Sequence, residues 1–513
     1  MDKIKILAMY LPQFHRVKEN DEWWGEGFTD WVASKTAVPL FEGHAQPKTP
    51  LHENYYNLLE KSTMQQQSKL MQEYKVDGMC FYHYYFKDGR KILEKPAENL
   101  LNWKDIDMPY CFCWANESWA RTWSNIRNKN SWMAKFEKRD SSRANEKDIL
   151  LEQKYGREDD WREHFEYLLP FFRDERYIKI DGAPVFLIYK PDEIYCLYQM
   201  LDYWRKLADE YNFPGMYFIG VNIAAPRKGL DAIMFNAPTM YVNYGRKKIV
   251  PDDMKGVKVY SYDDVWHNIL TAESVKGCKT FFGGLANVDG TPRHGKNGFV
   301  LGGFSIEKFQ NYFYQLVKKN ILADNEFVFI NAWNEWGEGA YLEPDEEYGY
   351  QYLEAVRDAR DKVEREVQNG DIDIEKCGKS ENEDAAEMLN VKNKHMLIAN
   401  CLDSWMSLKE KGINPANYLK RFHYNVIAIY GVGILGKHLL YELEQAEIKI
   451  AYIIDRRADL HYPQAEVRNV NDELDIVDAV VVTALADFDD IYETLKEKLG
   501  CPIFSITELI SEV

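Results

Sequence analysis

Phe327-Val328-Phe329-Ile330-Asn331-Ala332-Trp333-Asn334-Glu335-Trp336-Gly337-Glu338-Gly339 is the stretch on which the fold turns. Residues 327–332 form a short, β-rich, mainly apolar run. Such runs suit strands of a parallel sheet covered by helices on its faces. The remainder is polar, aromatic and rich in glycine, as befits a loop leaving a strand end. Working outward, runs of the same kind occupy residues 5–10, 78–84, 110–115, 185–189, 216–221, 232–236 and 280–285. Helical periodicity at 62–74, 161–172, 195–211 and 305–320 precedes the second, fourth, fifth and eighth runs, and 350–366 follows the last. Eight such runs in about 365 residues predict a (β/α)8 TIM barrel with long βα loops. An open, doubly wound sheet gives the same alternation. No repeat of 20–50 residues is visible.

The 513 residues include 28% charged and 14% aromatic residues, with a formal net charge of −18. Wholesale disorder and fibrous architectures are thereby excluded. Nucleic acid, which needs a cationic face, is not an expected partner. The cysteines, Cys80, Cys111, Cys113, Cys196, Cys278, Cys377, Cys401 and Cys501, are scattered and form no C-x-x-C pair. That pattern suits reduced thiols rather than a disulfide frame. No apolar run approaches the ~18 residues of a spanning helix. The lysine-bearing amino terminus has no small-residue cleavage site, so a cytoplasmic location is expected.

Residues 1–366 are the expected barrel, and 367–422 an acidic linker and helical connector, helix-like around 396–411. Residues 423–513 read as a small Rossmann-like domain. There a strand at 425–430 runs into Gly431-x-Gly433-x-x-Gly436 and a helix to about 445, with Asp455 closing a second strand at 448–454 and a third strand at 479–483. Glycines there allow a pyrophosphate to approach the helix, and the acid takes ribose hydroxyls. A nucleotide or nucleotide-sugar is the ligand this implies. A degenerate scaffold used for docking is the equal alternative.

The chemistry expected of the barrel lies just after its strands. Tyr10, Gln13 and His15 end the first, and Trp24 sits in the loop beyond. His83 and Tyr84 end the second, and Trp114, Asn116, Glu117 and Trp119 the third. Asp289 follows the seventh, and Trp333, Asn334 and Trp336 the eighth. Indole and phenol rings stack on the flat faces of sugars, while amides, imidazoles and carboxylates bond their hydroxyl rims. The set therefore fits a glycan site. Glu335 and Glu338 stand three apart, beside Gly337 and Gly339. In a turn that spacing brings both to one side, as glycosidic chemistry with paired carboxyl groups requires. A raised pKa would let one of them act as the acid. The bland readings are a pair capping the next helix, an ion pair of Glu117 with Arg121, and turn chemistry at Asp289-Gly290. Histidine spacing indicates no metal, and the barrel requires no cofactor.

The segments LPQFHRVKENDEWWGEGFTDW (11–31), FYHYYF (81–86), LEKPAENLL (93–101), FCWANESW (112–119) and FINAWNEWGEGAYLEPDEEYGYQYLEAV (329–356) resemble the WbsX family. Its members occur in bacterial surface-polysaccharide clusters and are described as glycosyltransferases. They are similar in turn to the family 99 glycoside hydrolases, which act on α-mannosides. The resemblance implies a (β/α)8 barrel over roughly residues 3–360. It also implies two catalytic glutamates in a retaining mechanism through a 1,2-anhydro sugar, with Glu335 deprotonating the 2-hydroxyl and Glu338 as acid/base. The sequence departs at Gly337, where the hydrolases carry histidine. A glycosyltransferase of lipopolysaccharide O-antigen or capsule assembly, with a glycan or nucleotide-sugar substrate and other assembly enzymes as possible partners, is the first expectation. The alternatives are a mannosidase-like endo-hydrolase and a non-catalytic glycan-binding protein.

Overall fold

The computed structural model describes residues 4–120, 149–223, 225–372, 398–399, 401–455, 462–463 and 465–512. Two compact units are present, the first holding an eight-stranded closed sheet and the second a C-terminal sheet.

In the first unit the strands are β1 (Lys5–Tyr10), β2 (Gly78–Tyr85), β3 (Tyr110–Trp114), β4 (Ala183–Ile188), β5 (Tyr217–Val221), β6 (Ala232–Phe235), β7 (Lys279–Leu285) and β8 (Phe327–Asn331). Every neighbour pair is parallel, and β8 pairs back onto β1, with Leu7 opposite Phe329. The sheet is thus a closed barrel, as the eight apolar runs predict. Each strand is buried along nearly its whole length. That explains the continuous rather than alternating hydrophobicity of the runs.

Among the described residues, seven helices of eight residues or more fall between or after the strands: α1 (Lys61–Glu73), α2 (Lys95–Asn102), α3 (Glu158–Phe172), α4 (Leu197–Glu210), α5 (Tyr262–Thr271), α6 (Ile306–Leu322) and α7 (Gln351–Gln368). The described residues of 222–231, between β5 and β6, contain no helix. α2 and α5 are not anticipated by periodicity. α5 is built from Tyr, Val, Trp, Ile and Thr, poor helix formers. Its legible signal is the cap, where the Ser261 side chain accepts from the Asp264 N–H at 3.2 Å. α6 buries Phe309, Phe313, Leu316, Val317 and Ile321 on one stripe. Asn320 on the same stripe accepts from the Phe282 N–H and donates to the Phe282 carbonyl, tying α6 to β7.

The second unit is a five-stranded parallel sheet: β11 (Val426–Tyr430), β12 (Lys449–Ile454), β13 (Val467–Arg468), β14 (Ala479–Val482) and β15 (Ile503–Ser505), in the order β13-β12-β11-β14-β15. Alternate side chains feed two cores. Ile427, Ile429 and Val481 lie in one, and Ala428, Tyr430 and Val482 in the other. This is the layering of a small doubly wound domain. Cys401, Trp405, Tyr418 and Leu419 belong to its core. The unit therefore begins before the expected boundary at 423, because the connector supplies part of the apolar face that covers the sheet. The helix expected around 396–411 is present over 401–410. α7 runs past 366, and most of the acidic linker lies outside the described residues. No helix among the described residues is long and apolar enough to cross a membrane.

Close packing of α5 and α6 on β7 depends on Gly284. A Cβ there would stand 2.5 Å from Leu316 Cδ2 and 3.0 Å from the Trp266 ring. Gly284→Ala is expected to destabilise the barrel by about 1–3 kcal/mol, the usual range for overpacking a filled core. Urea unfolding followed by tryptophan fluorescence measures it, and an unchanged midpoint would show that the helices yield freely.

Candidate active site

After β8 the chain reverses through an antiparallel pair, β9 (Asn334–Glu335) and β10 (Ala340–Tyr341). A single 3-10 turn over Trp336–Glu338 and Gly339 at φ +59° join them. Gly339 is needed twice over: the left-handed conformation favours glycine, and a Cβ would meet the Asp289 backbone nitrogen at 2.8 Å. The tight turn brings Glu335 and Glu338 to one guanidinium. Arg293 donates from Nη1 to Glu338 Oε1 at 2.6 Å and from Nη2 to Glu335 Oε2 at 3.0 Å.

Nη2 also donates to Asp30 Oδ1 at 2.9 Å, and the other Asp30 oxygen accepts from the Gly337 N–H at 2.9 Å. Three carboxylates thus share one cation. The space beside Gly337 is filled by this network: a Cβ at 337 would lie 2.8 Å from Asp30 Oδ1 and 3.1 Å from Arg293 Nε. A side chain at this position would have to displace Asp30 or Arg293. The cluster lines a cavity of about 540 Å³ walled by Trp24, Phe28, Tyr82, Tyr84, Trp119 and Tyr189.

The loop carrying the pair is braced from behind. Asn334 bonds both ways to the Leu11 backbone, accepting at 2.8 Å and donating at 3.0 Å. Glu343, just after β10, is buried and accepts from four neutral donors: Trp333 and Trp336 indoles, the Gln67 amide and the Tyr56 hydroxyl, at 2.7–2.9 Å. Asp289 accepts from the Thr291 hydroxyl and the Gln46 amide and meets His44 Nε2 at 2.7 Å, while its own N–H donates to the Glu338 carbonyl.

Burial pushes Glu335 up to about 8, with Arg293 opposing and Glu338 and Asp30 adding to the rise. Burial likewise pushes Glu343 up to about 7, against the hydrogen bonds it accepts. Asp289, though buried, is held below its usual range by His44, Thr291 and Gln46.

Of the residues expected at the site, Gln13, Trp24, Tyr84, Glu117, Trp119, Glu335 and Glu338 line the cavity. The others are placed elsewhere. Strand alternation decides two of them. Tyr82 and Tyr84 face the cavity, so His83 between them turns outward, its Nε2 2.8 Å from His164 Nε2 on α3. Trp114 turns its indole N–H to the Tyr85 carbonyl. Tyr10 is buried and donates to Gln67. His15 is buried, without a hydrogen-bond partner on either ring nitrogen, and burial lowers its pKa to about 4. Asn116 is engaged with the Lys190 backbone, and Trp333, Asn334, Trp336 and Asp289 serve the bracing just described. Each of these polar groups is satisfied inside the scaffold rather than offered to a ligand, His15 excepted. Glu117 pairs with Lys190; Arg121 lies outside the described residues.

Asp30, Arg293, Tyr82, Tyr189 and His294 are cavity residues that motif reading passed over. Arg293 ends the Asn287–Arg293 stretch, whose Asx-Gly and Thr-Pro pairs read as a turn. Residues Thr291–His294 form a single helical turn that carries Arg293.

In the second unit the glycine loop has the packing its motif suggests. Gly431 sits at φ +83°, and a Cβ on Gly436 would lie 2.4 Å from the Gly431 carbonyl oxygen. Asp455 Oδ2 accepts from the Val432 N–H at 3.4 Å. Gly433 caps α8 (Ile434–Gln445), with open space where its Cβ would stand.

Residues 6–356 match the profile of the family described as "Glycosyltransferase WbsX". The chain belongs to the WbsX glycosyltransferase family. Its similarity extends to "Uncharacterized protein WxcX" of Xanthomonas campestris pv. campestris strain B100, 31% identical over 364 residues, 69% of this chain and 49% of that protein. The same holds for WxcX of a second strain. The chain thus spans about half the length of the curated relatives it matches. Among solved structures, a "glycoside hydrolase-like protein" covers 70% of this chain and 94% of its own at 12% identity and TM-score 0.41. The GH99 endo-alpha-mannosidase from Bacteroides thetaiotaomicron covers 72% and 99%, also at 12% identity and TM-score 0.41. The WbsX match runs from the second residue of β1 through β8 and includes every cavity residue named above.

Two outcomes follow from the geometry. Gly337→Ala is expected to displace Asp30 and Arg293, lowering stability by about 1–3 kcal/mol as overpacking does; a crystal structure of the variant with Arg293 unmoved would refute the account. The second concerns pH. A carboxyl whose folded pKa lies above its unfolded value holds an extra proton when folded, so stability falls as pH rises between the two. For Glu335 that window runs from 4.5 to about 8. Thermal midpoints at pH 5 and pH 8 should therefore diverge less in Glu335→Gln than in the parent chain. Equal divergence would mean that Glu335 is already ionised in the fold.

Proposed function

We propose that the barrel is a carbohydrate-active enzyme that breaks and remakes bonds at the anomeric carbon of a sugar. In this reading it serves glycosyl transfer in bacterial surface-polysaccharide assembly, with Glu335 and Glu338 as its acid and base. The observation that carries the reading is the convergence of both glutamates on Arg293 inside a ring-walled cavity at the carboxyl ends of the barrel strands. The WbsX membership supports the substrate class. Rings such as Trp24, Trp119 and Tyr84 offer stacking faces, and Gln13, Asn236 and Asn297 offer polar groups for hydroxyls.

Burial loads the resting proton on Glu335, which makes it the acid that protonates the leaving oxygen. Glu338, the more exposed of the two, then takes the proton of the attacking hydroxyl. This exchanges the roles implied by the hydrolase resemblance. Arg293 is a positioning residue that holds both carboxyl groups to one side. For the second unit we propose nucleotide binding or docking at Gly431–Gly436.

The test is kinetic. Glu335→Gln is expected to lose about 10²–10⁴-fold in rate on an unactivated glycoside, the usual share of a general acid. It should recover much of that on an aryl glycoside whose leaving group needs no proton. Glu338→Gln should lose activity on both. If both variants keep the parent rate on a substrate the parent turns over, the paired-glutamate assignment is wrong.

A further inference from the structure

A second cavity, of about 490 Å³, opens beside the brace of the catalytic turn, and that volume is enough for a small ligand. Its wall is built by residues 50–56, by Gln66, Gln67 and Leu70 on α1, and by Trp336, Glu343 and Tyr350. Among the described residues it shares no lining residue with the catalytic cavity. The loop on its near side is stapled in place. Leu51 N–H donates to the Pro344 carbonyl at 2.9 Å, Glu346 N–H to the Thr49 carbonyl at 3.0 Å and His52 N–H to Glu346 Oε1 at 2.5 Å. These bonds hold His52 and Glu53 at φ +60° and +53°, a left-handed backbone that is costly for residues other than glycine. The cavity is therefore preformed, and strain of this kind gathers at ligand clamps.

Its chemistry follows from one buried acid and several rings. The Glu343 oxygens each accept two hydrogen bonds, Oε1 from Gln67 and Trp333 and Oε2 from Tyr56 and Trp336. Four donors arranged in this way suit the anion. All four are neutral, so they satisfy the oxygens and leave the charge uncompensated, whereas a buried charge is ordinarily stabilised by an opposite one. Glu53, exposed at the rim, adds a second carboxylate. The rings of Tyr55, Tyr56 and Tyr350 share the lining, and aromatic faces attract cations. Tyr55 already does so: Lys35 Nζ stands 3.7 Å from its ring centroid. Lys35 lies outside the lining, which among the described residues holds two carboxylates and His52 but no lysine or arginine.

We infer that this second cavity is a site for an organic cation, a substituted ammonium group seated among the tyrosine rings within the field of the Glu343 carboxylate. The site goes beyond the paired-glutamate reading and does not depend on it.

The full chain is titrated calorimetrically with choline and with glucosamine, and in parallel with the uncharged tert-butyl analogue of choline and with N-acetylglucosamine. The two cations distinguish an alkylammonium head group from an amino sugar as the source of the charge. The expected result is saturable binding of at least one cation, at least about 10-fold tighter than its uncharged counterpart, which lacks the Coulomb attraction. Tyr350→Ala removes a rim ring and leaves the Glu343 hydrogen bonds intact. It should weaken binding by about 2- to 30-fold, the span of a cation–π contact. Glu343→Gln should weaken it by at least about 10-fold, and Glu338→Gln should leave it unchanged. If Glu343→Gln fails to fold, Tyr350→Ala decides alone. Equal binding of charged and uncharged partners, or no saturable binding of either cation, would overturn the inference. So would unchanged binding in Tyr350→Ala or in a folded Glu343→Gln, and so would a loss confined to Glu338→Gln, which would put the cation among the acids of the catalytic cavity.

Discussion

One guanidinium holds the candidate site together. Asp30 comes from a segment far from the turn that carries Glu335 and Glu338, and the three acids would repel one another if left to face a common cavity. Arg293 donates to all three. Removing one partner of such a buried pair typically costs about 3–5 kcal/mol, because the charge left behind has no compensation. The surplus of carboxylates over cations also has a chemical result. Burial together with the neighbouring Glu338 and Asp30 pushes the Glu335 pKa up, against the pull of Arg293.

Two buried glutamates in this region are held by different means. Glu335 faces a cation and other acids at the cavity. Glu343 faces four neutral donors that fill its hydrogen-bonding positions. It orients the indoles on either side of the Asn334–Glu335 strand. Asn334 and Asp289 act in the same spirit, one fixing the hairpin to the end of β1 and the other fixing the Glu338 carbonyl. A reactive pair on a short turn needs such support, because a loop alone would not hold two side chains in register.

Of the aromatic residues expected at the strand ends, some reach the cavity and others are used inside the scaffold. Trp24, Tyr84 and Trp119 do wall the cavity. Trp114, Trp333 and Trp336 give their indole N–H groups to buried acceptors. Aromatic composition near strand ends cannot tell the two classes apart, since both need a ring and only one needs an opening.

Residue types and their periodicity were enough to place the eight strands within a residue or two, the glutamate pair at the last strand end and the glycine-rich turn of the second unit, while closure of the sheet into a barrel rests on the pairing of β8 with β1. These follow from local preferences: apolar runs bury themselves, and glycines mark where the backbone must turn or approach closely. What the chain's order could not reveal is which acids meet which base. Arg293 stands 42 residues from Glu335 and 263 from Asp30. It reaches them because closing the barrel gathers all its βα loops at one mouth. Nor could spacing say which face of a strand end looks into the cavity, since a one-residue step along a strand exchanges inside for outside. The three-dimensional closure decided that Tyr82 and Tyr84 look in, that His83 looks out, and that Gly337 must stay bare to leave room for a carboxylate and a guanidinium.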